Sequence, residues 1–294
     1  MAATTFTGQE IYSKQLFKKL GPIMAPLSAF STDFSQEAKA PGDGVSVQLV
    51  GPDVVGDFDA SSNNFERTAS ENKRVTVTFG TAKIVGFNVT PYQIANFNPG
   101  WWKEKADLNA LEMADSILTG VCANITADNF AKKVEIASDT DITLAEIKKI
   151  KAYCRKNKFR LGRCAMGLTA DLYSSLEDAY DARKTGLTTD QTQAALAKAC
   201  GVEQVFIVPQ LPNGLLGFVC AKSALAVAGR NFRPASDKPY ESVREITDPE
   251  SGIGLTMVEL CSGATGNLHE SVTGLFASTV GDEDALVRIV KANG

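Results

Sequence analysis

Two alternating runs, VSVQLV at 45–50 and RVTVTF at 74–79, frame a polar stretch of mixed charge with no helical period. Strict alternation of apolar and polar residues predicts a strand at each end, near 45–50 and 75–79. The stretch between them is far longer than a hairpin turn needs. An excursion of roughly twenty residues without its own secondary structure is uncommon in a compact domain and is usually functional or disordered. Strand-like sequence continues through TAKIVGFNVT until Asn98-Pro99-Gly100 breaks it. WWKEKADLNALEMADSILTGVCANIT then predicts a long amphipathic helix. Leu108, Leu111, Ala114, Leu118, Cys122 and Ile125 recur at spacings of three and four and form its expected buried stripe.

Ahead of the alternating runs, Thr7 and Glu10 have capping-box spacing and Gly21-Pro22 is a stop signal, so a short helix is expected there. PIMAPLSAFSTDFS reads as an extended segment too irregular for a core element. From about residue 140, helices and strands alternate. Thr143 and Glu146 form a second capping box, with Leu144, Ile147, Ile150 and Cys154 as the buried face and Asn157 as the stop. FRLGRCAMGL predicts a strand, TADLYSSLEDAY a helix capped by Thr169, and TTDQTQAALAKACG a helix ending at Gly201. EQVFIVP and LLGFVCA read as buried strands and KSALAVAGR as a short helix. IGLTMVELC and LHESVTGLFASTV form a hairpin with a six-residue connection. GDEDALVRIVKANG predicts a closing helix, acids in its first turn and Arg288 and Lys291 near its end. The β-rich parts flank the α/β block, which suggests two subdomains with the second inserted.

The 294 residues suffice for one large domain or two subdomains with a real core. An apolar share of 44 % with 22 % charged residues is ordinary globular composition, neither disordered nor membrane-spanning. Residues 1 to 30 lack the continuous apolar core of a signal peptide, and no run reaches the ~18 apolar residues of a membrane span. The net charge of −4 argues against a protein that grips nucleic acid by neutralising phosphates. Lys148, Lys149, Lys151, Arg155, Lys156 and Lys158 cluster at one helix end, where they suit solubility and the helix dipole. Six cysteines stand singly, five of them in apolar stretches, as buried free thiols do; this favours a reducing cytosol.

The search for chemistry comes back nearly empty. The single histidine, His269, lies in an alternating strand, so Ser-His-Asp and Cys-His arrangements would all depend on it. There is no HExxH, no CxxC pair, no calcium loop and no phosphate-cradling glycine motif; DPESGIG and SGATGN read as turns. Asp57/Asp59 and Asp282/Glu283/Asp284 are not tuned for acid–base work, and the Trp101-Trp102 pair suits packing or an interface anchor better than a base-stacking platform. No catalytic residue, metal or cofactor is expected.

The unusual feature is the arm. Its middle carries Val54, Val55, Phe58 and Phe65, too apolar for a linker and too sparse for a core. That pattern suits a surface buried against another chain, and segment 22–40 gives a similar hint. In this order the elements resemble the HK97-fold major capsid proteins of tailed bacteriophages. LSAFSTDFSQEAKAPGDGVSVQLV resembles the N-arm entering the E-loop, KEKADLNALEMADSILTGVCANIT the spine helix, FRLGRCAMGLTADLYSSL and GLLGFVCAKSALAVAGR the A-domain, and ITDPESGIGLTMVELCSGATGNLHESVTGLFASTV the closing hairpin. The resemblance implies an α+β, HK97-like capsid fold. The expected parts are an N-terminal arm at 1–40, an E-loop β-hairpin at 41–79, a P-domain with a long spine helix at 80–139 and 245–294, and an α/β A-domain at 140–244. The last helix would pack on the P- or the A-domain.

The resemblance further implies hexamers and pentamers of an icosahedral shell around double-stranded DNA that is bound without sequence specificity. The partners would be other copies, a portal, a separate scaffolding protein and optional decoration proteins, with no membrane. The protein would be made in the bacterial cytoplasm and end in the virion. Val54, Val55, Phe58, Phe65 and Arg67, with Phe30 and Phe34 of the N-terminal segment, are the expected inter-subunit contacts. The E-loop lysine that cross-links some relatives is not carried over, since the arm offers only Lys73, near its base. Two alternatives remain: an encapsulin-type compartment shell, and a cytosolic α/β enzyme with a site around Cys164 or Cys200.

Overall fold

The computed structural model describes residues 2–49, 73–96, 98–180, 189–235, 240–248, 252–263 and 265–292. The chain opens with helix α1 (Ala2–Met24), a 3₁₀ turn (Ala25–Ala29) and strand β1 (Ser31–Lys39). Strands β2 (Gly44–Gln48) and β3 (Arg74–Thr78) pair antiparallel as a two-stranded ribbon, the pair the alternating runs predict. Strand β4 (Lys83–Val89), helix α2 (Pro91–Ala95) and helix α3 (Pro99–Cys122) follow.

The rest of the chain holds β5 (Lys133–Ile136), α4 (Leu144–Lys156), β6 (Cys164–Leu168), α5 (Ala170–Ala179), α6 (Thr189–Cys200), β7 (Gln204–Ile207), β8 (Leu215–Ala221), β9 (Leu225–Phe232), β10 (Ser242–Thr247), β11 (Gly254–Cys261), β12 (Leu268–Val280) and β13 (Leu286–Lys291). Six strands form one sheet in the order β1-β9-β12-β11-β10, with β4 also paired to β12. The 13-residue β12 is long enough to pair with β4 and β11 along its first half and with β9 along its second. Five strands form the other sheet, β5-β13-β8-β6-β7. Its one face is covered by α4, α5 and α6 through Ile147, Ile150, Leu172, Leu176, Leu196 and Cys200. The opposite face, through Phe206, Phe218 and Leu286, is continuous with the core that α1 and α3 form on the six-stranded sheet.

Several expectations are overturned. The first helix neither starts at the Thr7–Glu10 box nor ends at Gly21-Pro22: α1 runs from Ala2 to Met24 with Pro22 inside its last turn. Tyr12, Leu16, Leu20 and Met24, four apart, are buried in the core shared with α3, and that burial outweighs the proline in a terminal turn. The segment read as extended and outside the core is a 3₁₀ turn and a strand within the main sheet. KSALAVAGR and GDEDALVRIVKANG are not helices; each is a 3₁₀ turn leading into a strand, β9 and β13. In β9 the side chains alternate in period two, Leu225 and Val227 toward the α1/α3 core and Ala226 and Ala228 toward the ribbon. A strand buried on both faces shows no polar alternation, so its sequence cannot be told from a helix.

The helix expected at 101–126 is α3, and Ala114, Leu118, Cys122 and Ile125 of its expected stripe are buried. The stripe fails in its first half, where Trp102, Ala106, Ala110 and Met113 face inward while Leu108 and Leu111 are 51 % and 47 % exposed. Leu144 is likewise exposed, whereas Ile147, Ile150 and Cys154 are buried as expected. Thr169 stands at the N-cap of α5 without the expected side-chain bond. The Thr143–Glu146 capping box forms as predicted, and Glu146 Oε1 also accepts the Ala137 N–H at 2.7 Å. Partial burial pushes the Glu146 carboxyl up, and the hydrogen bonds from the Thr143 and Ala137 backbone and the Thr143 hydroxyl outweigh it, so its pKa lies below the ordinary glutamate value. A depressed folded-state pKa means stability that is present above the unfolded value and lost as pH falls through the folded one. Glu146→Ala should therefore cost about 1 kcal/mol at neutral pH. Urea titrations from pH 7 to pH 3 should show the gap to the unaltered protein closing toward the acid end; a gap independent of pH would contradict this.

Candidate assembly site

The ribbon β2–β3 is the root of the arm, and it is fastened to the subunit's own sheet. Val47, Leu49, Val77 and Phe79 pack on Ala226, Ala228 and Leu275 of β9 and β12. The small alanines let the ribbon lie close. Lys73 Nζ donates to the Gly281 carbonyl at 2.8 Å, and a side chain at Gly281 would meet the Ser223 carbonyl at 2.3 Å, so the turn beneath the ribbon admits only glycine. The ribbon's other face, Ser46, Gln48, Arg74 and Thr76, is exposed and polar. Of the expected contacts, Val54, Val55, Phe58, Phe65 and Arg67 lie outside the described residues.

The two expected contacts of the N-terminal segment belong to the subunit itself. Phe30 is 3 % exposed, its ring centroid 6.2 Å from that of Phe218, so it has no free surface to offer a neighbour. Phe34 is half-buried over Gly229, where an added Cβ would lie 2.7 Å from its ring. Beside it, Arg230 is buried: Nη1 donates to the Asp33 carbonyl at 2.6 Å, and Nη2 pairs with the Asp33 carboxylate at 3.0 Å. The guanidinium thus pins β1 to β9. Sequence reading misses it because Asp33 and Arg230 are nearly two hundred residues apart.

Helix α1 is equally integrated. Gly8 lies against Trp102 and Tyr12 against Asn109, so the two helices run in the same direction. Asn109 Nδ2 donates to the Tyr12 hydroxyl at 2.8 Å. Burial pushes the Tyr12 pKa well above its ordinary value, the Asn109 bond opposes this, and the Glu270 carboxylate reinforces it. Trp101 and Trp102 form an aromatic cluster with Phe87 and Tyr12, with centroids 5.1–5.6 Å apart. This is the packing role favoured above for the tryptophan pair.

Five cysteines are buried and Cys261 is exposed. Burial pushes the Cys164 and Cys200 thiols up to about 11, Cys164 further by the Glu203 charge, while Lys151 opposes the shift at Cys200. Such thiols are protonated at neutral pH, the opposite of an activated nucleophile, which undercuts the enzyme alternative. His269 is a half-exposed strand residue. Among the described residues no cluster of His, Cys, Asp and Glu could hold a metal, and no helix is long and apolar enough to cross a membrane.

No protein-family model matches the chain, and no curated protein matches it by sequence. Solved structures do match it, nearly end to end. A virus-like particle protein from Pyrococcus furiosus aligns at TM-score 0.54 with 9 % identity, over 95 % of this chain and 98 % of that one. The capsid protein of Cyanophage A-1(L) aligns at 0.52 with 11 % identity, over 95 % and 94 %. The capsid of an empty GTA particle aligns at 0.50 with 12 % identity, over 92 % and 90 %.

The chain has the HK97-like capsid fold. Its mixed α+β architecture, with the ribbon on one face of the main sheet and the long helix on the other, is the one expected from the order of elements. Here residues 2–39 are helix and strand within the subunit's own core.

Proposed function

We propose that the chain is the building block of an icosahedral shell that encloses double-stranded DNA, as the major capsid protein of a tailed bacteriophage. The observation that supports this most is the end-to-end likeness to shell subunits, with neither chain left largely uncovered. The arm gives it a physical basis: a root held rigidly on the subunit's own sheet carries a long insert with aromatic residues that a lone subunit has no evident use for. In this reading 41–79 is the E-loop, 80–139 with 245–294 the P-domain, and 140–244 the A-domain. The sheets cut across those spans: β5 and β13 join the strands of the A-domain, while β9 joins the P-domain sheet. The shell would form from hexamers and pentamers, start on a portal and a separate scaffolding protein, carry optional decoration proteins and become part of the virion. Synthesis would take place in the host cytoplasm.

An encapsulin-type compartment is the second reading, favoured by the virus-like particle among the neighbours. Contents separate the two. Purified particles, viewed by electron microscopy and then treated with nuclease, should be closed shells protecting double-stranded DNA of uniform length. Shells holding a protein cargo instead would favour the compartment, and a uniform dimer at high concentration would overturn both.

A further inference from the structure

The arm segment 51–72 contains Asp53, Asp57, Asp59, Glu66 and Glu71 but a single cation, Arg67. That is five of the chain's 34 carboxylates and one of its 30 cations, so this short stretch carries a charge of −4, the net charge of the whole protein. The remainder is neutral. An arm that concentrates all of the excess negative charge, with two phenylalanines, needs a cationic surface with an apolar floor.

The structure holds one. A groove of about 700 Å³ opens between the α4–β6 loop, the β8–β9 turn and the β12–β13 turn. Lys158, Arg160, Arg163 and Lys222 line it and are exposed; none has an ion pair or side-chain hydrogen bond among the described residues. Phe159 supplies the apolar surface. Carboxylates also line it, but Asp284 is taken by Lys132 at 3.0 Å and the Asp282 side chain accepts the Asp284 N–H. Among the described residues Glu203 and Asp282 remain without an ion pair, so two carboxylates face four cations and the groove keeps a net positive charge. Lys158 holds a left-handed backbone (φ 62°) where glycine would be unstrained, which fixes the direction of the loop. Sequence reading put the neighbouring basic run down to solubility. Of that run, Lys149 and Lys151 donate to the Glu135 and Ala199 carbonyls, and Lys158 lines the groove.

We infer that the groove lined by Lys158, Arg160, Arg163 and Lys222 receives the acidic, aromatic arm tip of a second copy of this chain. The inference rests on the shell reading. Tip and groove are different patches of one chain, so the contact is head-to-tail, the kind that closes into rings. The groove also borders the arm's own root, since Ser223 lines it and packs against Gly281 beneath the ribbon. Each copy would thus receive a neighbour's tip beside the point where its own arm departs.

Charge reversal tests this with the full chain. One variant carries Asp53→Lys, Asp57→Lys and Asp59→Lys; the other carries Arg160→Glu, Arg163→Glu and Lys222→Glu. Each alone should fold normally by circular dichroism yet assemble at least about tenfold less than the unaltered protein, since each sets like charges against each other. An equal mixture should form hexameric rings, where the two variants alternate and every tip meets a groove of opposite charge, and a single chain carrying both sets should recover closed shells. A tagged tip variant should capture the groove variant, but not a control with Lys18, Lys103 and Lys148 changed to Glu. Either variant assembling normally alone overturns the inference. Rescue by the combined chain with neither hexamers nor capture from the mixture means the tip folds back on its own groove and also overturns it. If the unaltered protein forms no particles, the shell reading fails, and the capture result still decides whether tip and groove meet.

Discussion

Replacing Trp102 by alanine is expected to destabilise the folded subunit by about 3–5 kcal/mol, the range for truncating a buried tryptophan. Trp102 is 3 % exposed and sits where three elements meet. Its ring contacts Phe87 of β4 edge-on at 5.6 Å and Trp101 at 5.4 Å. From α1, Gly8 comes so close that an added Cβ would lie 2.7 Å from the indole. Removing the ring opens a cavity that a glycine on one side and a rigid strand on the other cannot collapse to fill. The denaturant midpoint should fall with little change in slope, as for a loss of stability without a change in the surface exposed on unfolding. Trp101→Ala is the control: Trp101 is half-buried and should cost clearly less. Equal losses for the two would mean that the indole of Trp102 is not the hub of this packing.

Excising the arm is expected to abolish shell closure while sparing the fold. The variant replaces Val54 to Asn72 with a short glycine-rich turn. The ribbon that remains keeps its anchors, Val47, Leu49, Val77 and Phe79 on Ala226, Ala228 and Leu275, together with the bond from Lys73 to Gly281. An isolated two-stranded ribbon is marginal in water, but this one is packed on a sheet and does not depend on the insert. Shortening the loop also lowers its closure entropy slightly. Thermal unfolding should therefore be unchanged or slightly raised, while electron microscopy shows no closed particles. Normal particles would remove the arm from assembly and take the groove inference with it. A subunit that no longer folds would show instead that the arm is part of its core.

The two predictions mark where the sequence speaks clearly and where it does not. The ribbon was legible because one face is wet: Val45, Val47, Val75 and Val77 alternate with Ser46, Gln48, Arg74 and Thr76. The Thr143–Glu146 capping box of α4 was legible because it is a pair of local hydrogen bonds set by spacing. The stripe of α3 was legible in its second half, at Ala114, Leu118 and Cys122, but not in its first. Leu108 and Leu111 fit the apolar period, but the face that is buried is the one α1 and the sheet happen to cover, and Ala106, Ala110 and Asn109 lie there. Leucine content cannot reveal which side the partner approaches from. Phe30 is buried and not a surface residue for the same reason: an aromatic in a proline- and serine-rich segment looks unplaced until Phe218 is seen beneath it.

By itself the sequence determined the features that depend on neighbours along the chain. These are the alternating ribbon, the Thr143–Glu146 cap, the hairpin of β11 and β12, the buried character of five cysteines, the lack of a catalytic or metal-binding motif, and an arm that carries all of the excess negative charge. Only the tertiary structure decided what lies across the chain. It made β9 and β13 strands where the apolar run alone leaves helix and strand undecided, because both are covered on two faces. It drew residues 2–39 into the core, through Tyr12 on Asn109 and Arg230 on Asp33. It also gathered Lys158, Arg160, Arg163 and Lys222 around one groove. Local order follows from spacing, whereas burial and charge clustering depend on which distant segments meet, and no short window of sequence contains that information.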